Sequence, residues 1–123
     1  MARILAVDDE ENFRGAFARA LERAGYMVRA MDNGLAALAE LQEHQYRAIV
    51  SDIHMPFLEG SSFYGELMAQ HPQMAQRVVF ATGWADQDEV GEFLKRTGRP
   101  VLRKPVDLKH LVKTVRSVAD RGA

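Results

Sequence analysis

The 123-residue chain has no cysteine. Disulfides, thiolate nucleophiles and cysteine–zinc sites are therefore excluded, and a reducing compartment fits. It also lacks any apolar run near the ~20 residues that a membrane helix needs. Its opening stretch, Ala2 to Val7, runs into Asp8 and Asp9. That is too short for a signal-peptide core, and no cleavage region follows it. The expectation is a cytoplasmic domain without membrane contact. Neither charge dominates: 16 Lys and Arg stand against 17 Asp and Glu. No basic field invites direct nucleic-acid contact, and no acidic tail is present. The P-loop pattern G-x-x-x-x-G-K-[ST] does not occur, which removes that class of NTPase. His44, His71 and His110 are scattered without metal-ligand spacing, so no zinc site is expected.

What is present is ordinary for one globular domain over 1–123, with 47% apolar and 27% charged residues. Short β-rich runs alternate with helical patterns. Ile4 to Val7 reads as a strand buried on both faces. Phe13, Ala16, Phe17, Ala20, Leu21 and Ala24 share one helix face, and Gly25 stops that helix. Tyr26 to Met31, with Arg29 inside it, reads as an edge strand. Asp32-Asn33-Gly34 can cap a helix carrying Leu35, Leu38 and Leu41. Tyr46 to Ser51 is a third strand with Asp52 at its end. Met55 to Gly60 is loop chemistry, and Ser61 or Ser62 can cap a helix that Pro72 ends. Val78 to Ala81 is a fourth strand, followed by Thr82-Gly83 and a helix over Ala85 to Arg96. Gly91 weakens that helix by ~1 kcal/mol relative to alanine. Val101-Leu102 is the fifth strand. Asp107 caps a last helix with a Leu108, Leu111, Val112, Val115, Val118 stripe, and residues 120–123 read as a frayed end. Five βα units predict a parallel sheet with helices on both faces.

The polar residues collect at the ends of these strands. Asp8 and Asp9 follow the first, Asp52 the third, Thr82 the fourth and Lys104 the fifth. In an open α/β sheet those C-terminal ends share one edge, where ligands bind. Carboxylates held together repel unless a cation joins them, and hard oxygen donors suit Mg²⁺. A metal site facing a hydroxyl and an ammonium is suited to a phosphoryl group. One carboxylate can then serve as the nucleophile.

In these elements the sequence resembles the receiver domain of two-component response regulators: Asp8-Asp9, then Asp52 with Met55-Pro56 and Gly60, then Thr82-Gly83 and Lys104-Pro105. The resemblance covers essentially the whole chain. It implies a three-layer α/β/α fold of the flavodoxin-like type, with strand order 2-1-3-4-5. It also implies that Asp52 accepts a phosphoryl group from a histidine kinase or a histidine phosphotransfer domain. By the same resemblance Asp9 binds Mg²⁺ directly and Asp8 mostly through water. Asp52 and the backbone carbonyl of His54 complete the ligand set, and Thr82 and Lys104 contact the phosphoryl oxygens. The Lys104-Pro105 bond is expected to be cis, aiming the lysine into the pocket. Such a domain switches or relays a signal and is not a turnover enzyme by itself.

Three positions depart from the common pattern. Many receivers carry an aromatic ring three residues before the lysine; here Val101 stands there, which puts the usual threonine–aromatic coupling in doubt. His54 and Trp84 lie two residues after Asp52 and Thr82, where the family tunes loss of the phosphoryl group. Trp84 is expected to shield it, and His54 to make its lifetime pH-dependent. The stretches Arg77 to Gly83, Thr97 to Pro100 and Lys104 to Leu108 are similar to receivers at the C-terminus of hybrid histidine kinases. A free-standing receiver fits nearly as well. The alternatives are weaker. A flavin-phosphate site would not put Asp8-Asp9-Glu10-Glu11 after the first strand. An aspartyl phosphatase would want an acid where His54 stands. A phosphorylation-independent interaction module on the same fold is the remaining alternative. Glu10, Glu11 and Arg14 read as solvated charges, and the Phe13-Phe17-Leu21 stripe as core.

Overall fold

The computed structural model describes residues 2–54 and 60–121. The expected loop residues Met55 to Glu59, and the end residues Gly122 and Ala123, lie outside the described residues. The elements run β1 (Arg3–Val7), α1 (Glu11–Arg23), β2 (Met27–Met31), α2 (Gly34–Glu43), β3 (Ala48–Ser51), α3 (Gly60–Gln70), α4 (Pro72–Ala75), β4 (Val78–Thr82), α5 (Asp88–Thr97), β5 (Val101–Arg103) and α6 (Leu108–Arg121). All five strands pair in parallel in the order β2-β1-β3-β4-β5.

Side chains alternate across a strand, so each central strand feeds two cores. Leu5, Val7, Ile49, Val78 and Phe80 pack on the face covered by Ala37, Phe63, Leu67 and Leu94 of α2, α3 and α5. Ile4, Ala48, Val50, Val79, Ala81 and Leu102 pack on the face covered by Phe17 and Leu21 of α1 and by Leu111 and Val115 of α6. This two-sided burial is why those strands are continuously apolar. β2 is the exception: it is largely exposed, as its edge position requires.

The expected punctuation is seen at three helix ends. Gly25 takes φ 101°, which a side chain would resist, and the Tyr26 amide closes the turn onto the Leu21 carbonyl at 3.1 Å. Asn33 accepts from the Ala36 amide at 2.8 Å, and Asp107 from the Lys109 amide at 2.9 Å.

Four details differ from the expectation. Pro72 does not simply end a helix: it occupies the first turn of α4, where its missing N–H costs nothing. Ser61 and Ser62 lie inside α3 rather than capping it. α5 starts at Asp88, not Ala85, because residues 84–87 form a turn closed by the Gln87 amide on the Trp84 carbonyl at 3.0 Å. A Cβ on Gly91 would sit 3.3 Å from the Ala85 carbonyl, so this glycine lets that turn lie against α5. Finally, α6 continues through Asp120 and Arg121 instead of fraying at 120.

Candidate functional site at the C-terminal edge of the sheet

Parallel register brings the predicted residues together. Val7 of β1 stands opposite Ser51 of β3, so Asp8 and Asp52 leave neighbouring strands side by side; the Asp52 amide donates to the Val7 carbonyl at 3.0 Å. Thr82 ends β4 opposite Arg103 of β5, and the Lys104 amide donates to the Thr82 carbonyl at 3.0 Å. The chain turns from β2 on one side of β1 to β3 on the other, so the acids sit at the topological switch point.

Lys104 is the hub. Its Nζ lies 2.8 Å from Asp8 Oδ2, 3.0 Å from Asp52 Oδ2 and 3.2 Å from Glu10 Oε1. It also lies 4.2 Å from the centre of the Phe13 ring, a cation–π contact. The Lys104-Pro105 bond is cis. Asp8, Asp52 and Thr82 are buried, whereas Asp9 and Glu10 are exposed. Asp52 Oδ1 accepts from the Ile53 amide at 2.7 Å. Asp8 Oδ1 accepts from the Glu10 amide at 2.9 Å, and Arg14 donates to the Asp8 carbonyl at 3.0 Å. Thr82 Oγ1 accepts from the Trp84 amide at 3.1 Å. A shallow depression of about 340 Å³ lined by Glu10, Phe13, Asp52, Trp84 and Lys104 opens over this group.

Burial pushes the Asp8 carboxyl above its ordinary range; the ion pair with Lys104 and the hydrogen bond from the Glu10 amide only partly oppose this, and the charge of Asp52 adds to it. Burial alone would lower Lys104, but the contacts and charges of Asp8 and Asp52 outweigh it and hold the ammonium above its usual value. One cation thus faces three acids. Asp8, Asp9, Glu10 and Asp52 each offer an oxygen within 4.8 Å of the others. Asp8 Oδ2 is buried with no aligned hydrogen bond, its contact with Lys104 being an off-axis ion pair. An excess of hard oxygen donors over the one cation, with a buried oxygen that accepts no aligned hydrogen bond, fits a small divalent cation.

Of the predicted set, Asp8, Asp9 and Asp52 converge with Lys104, and Thr82 lies at the adjoining strand end. Trp84 lines the depression and is half exposed, and the His54 ring meets it edge-to-face with centres 5.2 Å apart. Val101 packs as a partly buried residue against the core that contains Phe80 and, beside it, Phe93. Two participants do more than the sequence indicates. Glu10, expected to be a solvated charge, is exposed and also reaches Lys104. Phe13, expected to be core, packs against the core beneath α1 and α6 and also turns its face to the same ammonium. The only sequence signal for Glu10 is its place directly after the acid pair; for Phe13 there is none, since its spacing is equally that of a core residue.

The chain is similar to known proteins along most of its length. The model of the response regulator receiver domain family matches residues 4–116. The response regulator receiver protein CpdR of Brucella abortus (strain 2308) is 32% identical over 115 residues, covering 94% of each chain. The sensor kinase CckA of the same organism is 30% identical over 98% of this chain but only 13% of its own length. Among solved structures, the chemotaxis response regulator CheY4 of Vibrio cholerae superposes with a TM-score of 0.84 at 31% identity, covering 96% of this chain and 98% of its own.

Proposed function

The chain belongs to the response regulator receiver domains of two-component signalling, and from that premise we propose that Asp52 is a Mg²⁺-dependent acceptor of a phosphoryl group from a partner phosphohistidine. The observation that carries this reading is the buried Asp52 carboxylate, held by Lys104 at 3.0 Å and flanked by Asp8. The donor is a histidine kinase or a histidine phosphotransfer domain, the partners with which the family works. An oxygen of Asp52 attacks phosphorus in line, a P–O bond forms, and the P–N bond to the donor histidine breaks.

Asp9, Asp8, Asp52 and the His54 carbonyl would hold Mg²⁺, which would supply charge neutralisation at the phosphoryl oxygens. Everything else falls to the side chains. Lys104 already stands beside the Asp52 oxygen and keeps its charge next to the new phosphoryl group. The Thr82 oxygen accepts from the Trp84 amide, which leaves the hydroxyl proton for a phosphoryl oxygen. Ile53 N–H steadies the second Asp52 oxygen. Trp84 lines the depression with His54 against its ring, where they slow the access of water and set the lifetime of the acyl phosphate. The domain works as a switch or relay, with a charge change of roughly −1.5 to −2 on Asp52 as its signal, and not as a turnover enzyme. A free-standing receiver and a receiver attached to a kinase both occur among its relatives.

Intact-mass spectrometry after incubation with acetyl phosphate and Mg²⁺ tests this. One added phosphoryl group is expected, lost with EDTA and with Asp52→Asn. No adduct under any condition, with Mg²⁺ still bound, would favour an interaction module that needs no phosphorylation.

A further inference from the structure

The opposite edge of the sheet carries a second concentration of charge, of the other sign. Arg3 begins β1, Arg47 directly precedes β3 and Arg77 directly precedes β4, and these are three neighbouring strands. The Arg47 amide donates to the Arg3 carbonyl at 2.8 Å, and the Ile49 amide to the Arg77 carbonyl at 3.0 Å, so the three residues occupy adjacent rows. They line one depression of about 500 Å³ together with Ala2, Gln45 and Tyr46, and no carboxylate is in that lining.

Each guanidinium is held in place by a contact that uses few of its donors. Arg3 lies 5.5 Å from the centre of the Tyr46 ring. Arg47 Nε donates to the Ala119 carbonyl at 3.1 Å, and Arg77 Nη1 to the Tyr46 carbonyl at 3.3 Å. Arginine has five N–H donors, so most remain available. Among the described residues none of the three is in an ion pair, although the chain has 17 acids to supply one. A neighbouring cleft of about 360 Å³ shares Gln45, Tyr46 and Arg77 and adds His44 and His71; His71 Nε2 is buried without a partner.

We propose that this depression binds a compact polyphosphate, two adjoining phosphates as in pyrophosphate or a nucleoside diphosphate, at a site separate from Asp52. Fixed guanidinium forks match phosphate oxygens in geometry and charge. A single phosphate carries about −1.5 to −2, so three guanidinium charges are better met by two phosphates than by one.

The test is a titration of the chain with sodium pyrophosphate at constant ionic strength, in EDTA so that the acid cluster holds no metal, read by amide chemical shifts. Saturable shifts confined to residues 2–3, 45–47 and 77 are expected. Arg3→Gln and Arg77→Gln are each expected to weaken binding by about tenfold or more, with Arg3→Gln sufficing if Arg77→Gln does not fold. Arg23→Gln, which removes an equal charge from the exposed end of α1, and Asp52→Asn should leave affinity unchanged. Repeating the titration with ADP separates the sources: tighter binding with added shifts at 71–74 identifies a nucleotide, and equal affinity identifies the diphosphate group alone. Non-saturating shifts, or equal weakening by Arg23→Gln, would overturn the proposal.

Discussion

Lys104 donates to Asp52 at 3.0 Å although 52 positions separate them in the chain. The same Nζ meets Asp8 at 2.8 Å with both side chains almost fully buried. This one ammonium is the cation that lets the carboxylates share an edge before any metal joins them.

Lys104→Met should therefore destabilise the protein by about 3 kcal/mol in EDTA, since removing one partner of a buried ion pair strands the other charges. Urea unfolding monitors this. A loss under about 1 kcal/mol would mean that water already screens the cluster.

Asp8→Asn should act in the opposite direction. Burial raises the Asp8 carboxyl above its ordinary range, so the ionised form is less favourable in the folded state and weakens it at neutral pH. Relief of that charge should raise stability in EDTA, while most of the gain that Mg²⁺ gives the native chain disappears. Denaturation midpoints with and without Mg²⁺ check both halves. Lower stability in EDTA would show that the Lys104 pairing outweighs repulsion among the acids.

Two groups predict the alkaline limb. Lys104 is held above its ordinary 10.5, so its contribution is complete below that value and is lost as pH rises through the higher folded value. Tyr46 is raised from 10.0 to about 12 by burial first and then by its hydrogen bond to Glu40. Its contribution is likewise present below 10.0 and lost on the way to about 12. Ultraviolet titration should show one tyrosine ionising late, and Tyr46→Phe should remove that late step. A titration that Tyr46→Phe leaves unchanged at its alkaline end would contradict it.

Trp84 stands edge-to-face with His54 at 5.2 Å and is half exposed. Trp84→Ala should shorten the lifetime of the phosphorylated form several-fold, measured by the decay of the mass adduct. As the sole tryptophan, Trp84 should also report Mg²⁺ and phosphorylation by fluorescence, and the His54→Ala variant should alter that signal. An unchanged decay in both variants would remove these residues from control of the lifetime.

The alternation of buried strands with helical stripes, and the placing of Asp8, Asp9, Asp52, Thr82 and Lys104 after strands, could be read from the chain because period and position are local properties. The limits Gly25, Asn33 and Asp107 set on their helices are local too, since each acts on amides or carbonyls within a few residues. Where local signals are ambiguous, they do not decide the element. Proline both ends a helix and opens the next, so α4 was not separable from a stop, and the turn that delays α5 to Asp88 depends on the close approach at Gly91.

Only the tertiary structure decided which charges meet. That Glu10 and Phe13 both attend Lys104, that His54 and Trp84 touch, and that Arg3, Arg47 and Arg77 surround one depression all follow from the β2-β1-β3-β4-β5 order and its register. Those are long-range pairings, fixed by how two cores bury opposite faces of one sheet. No spacing along the chain encodes the distance between side chains that arrive from different strands.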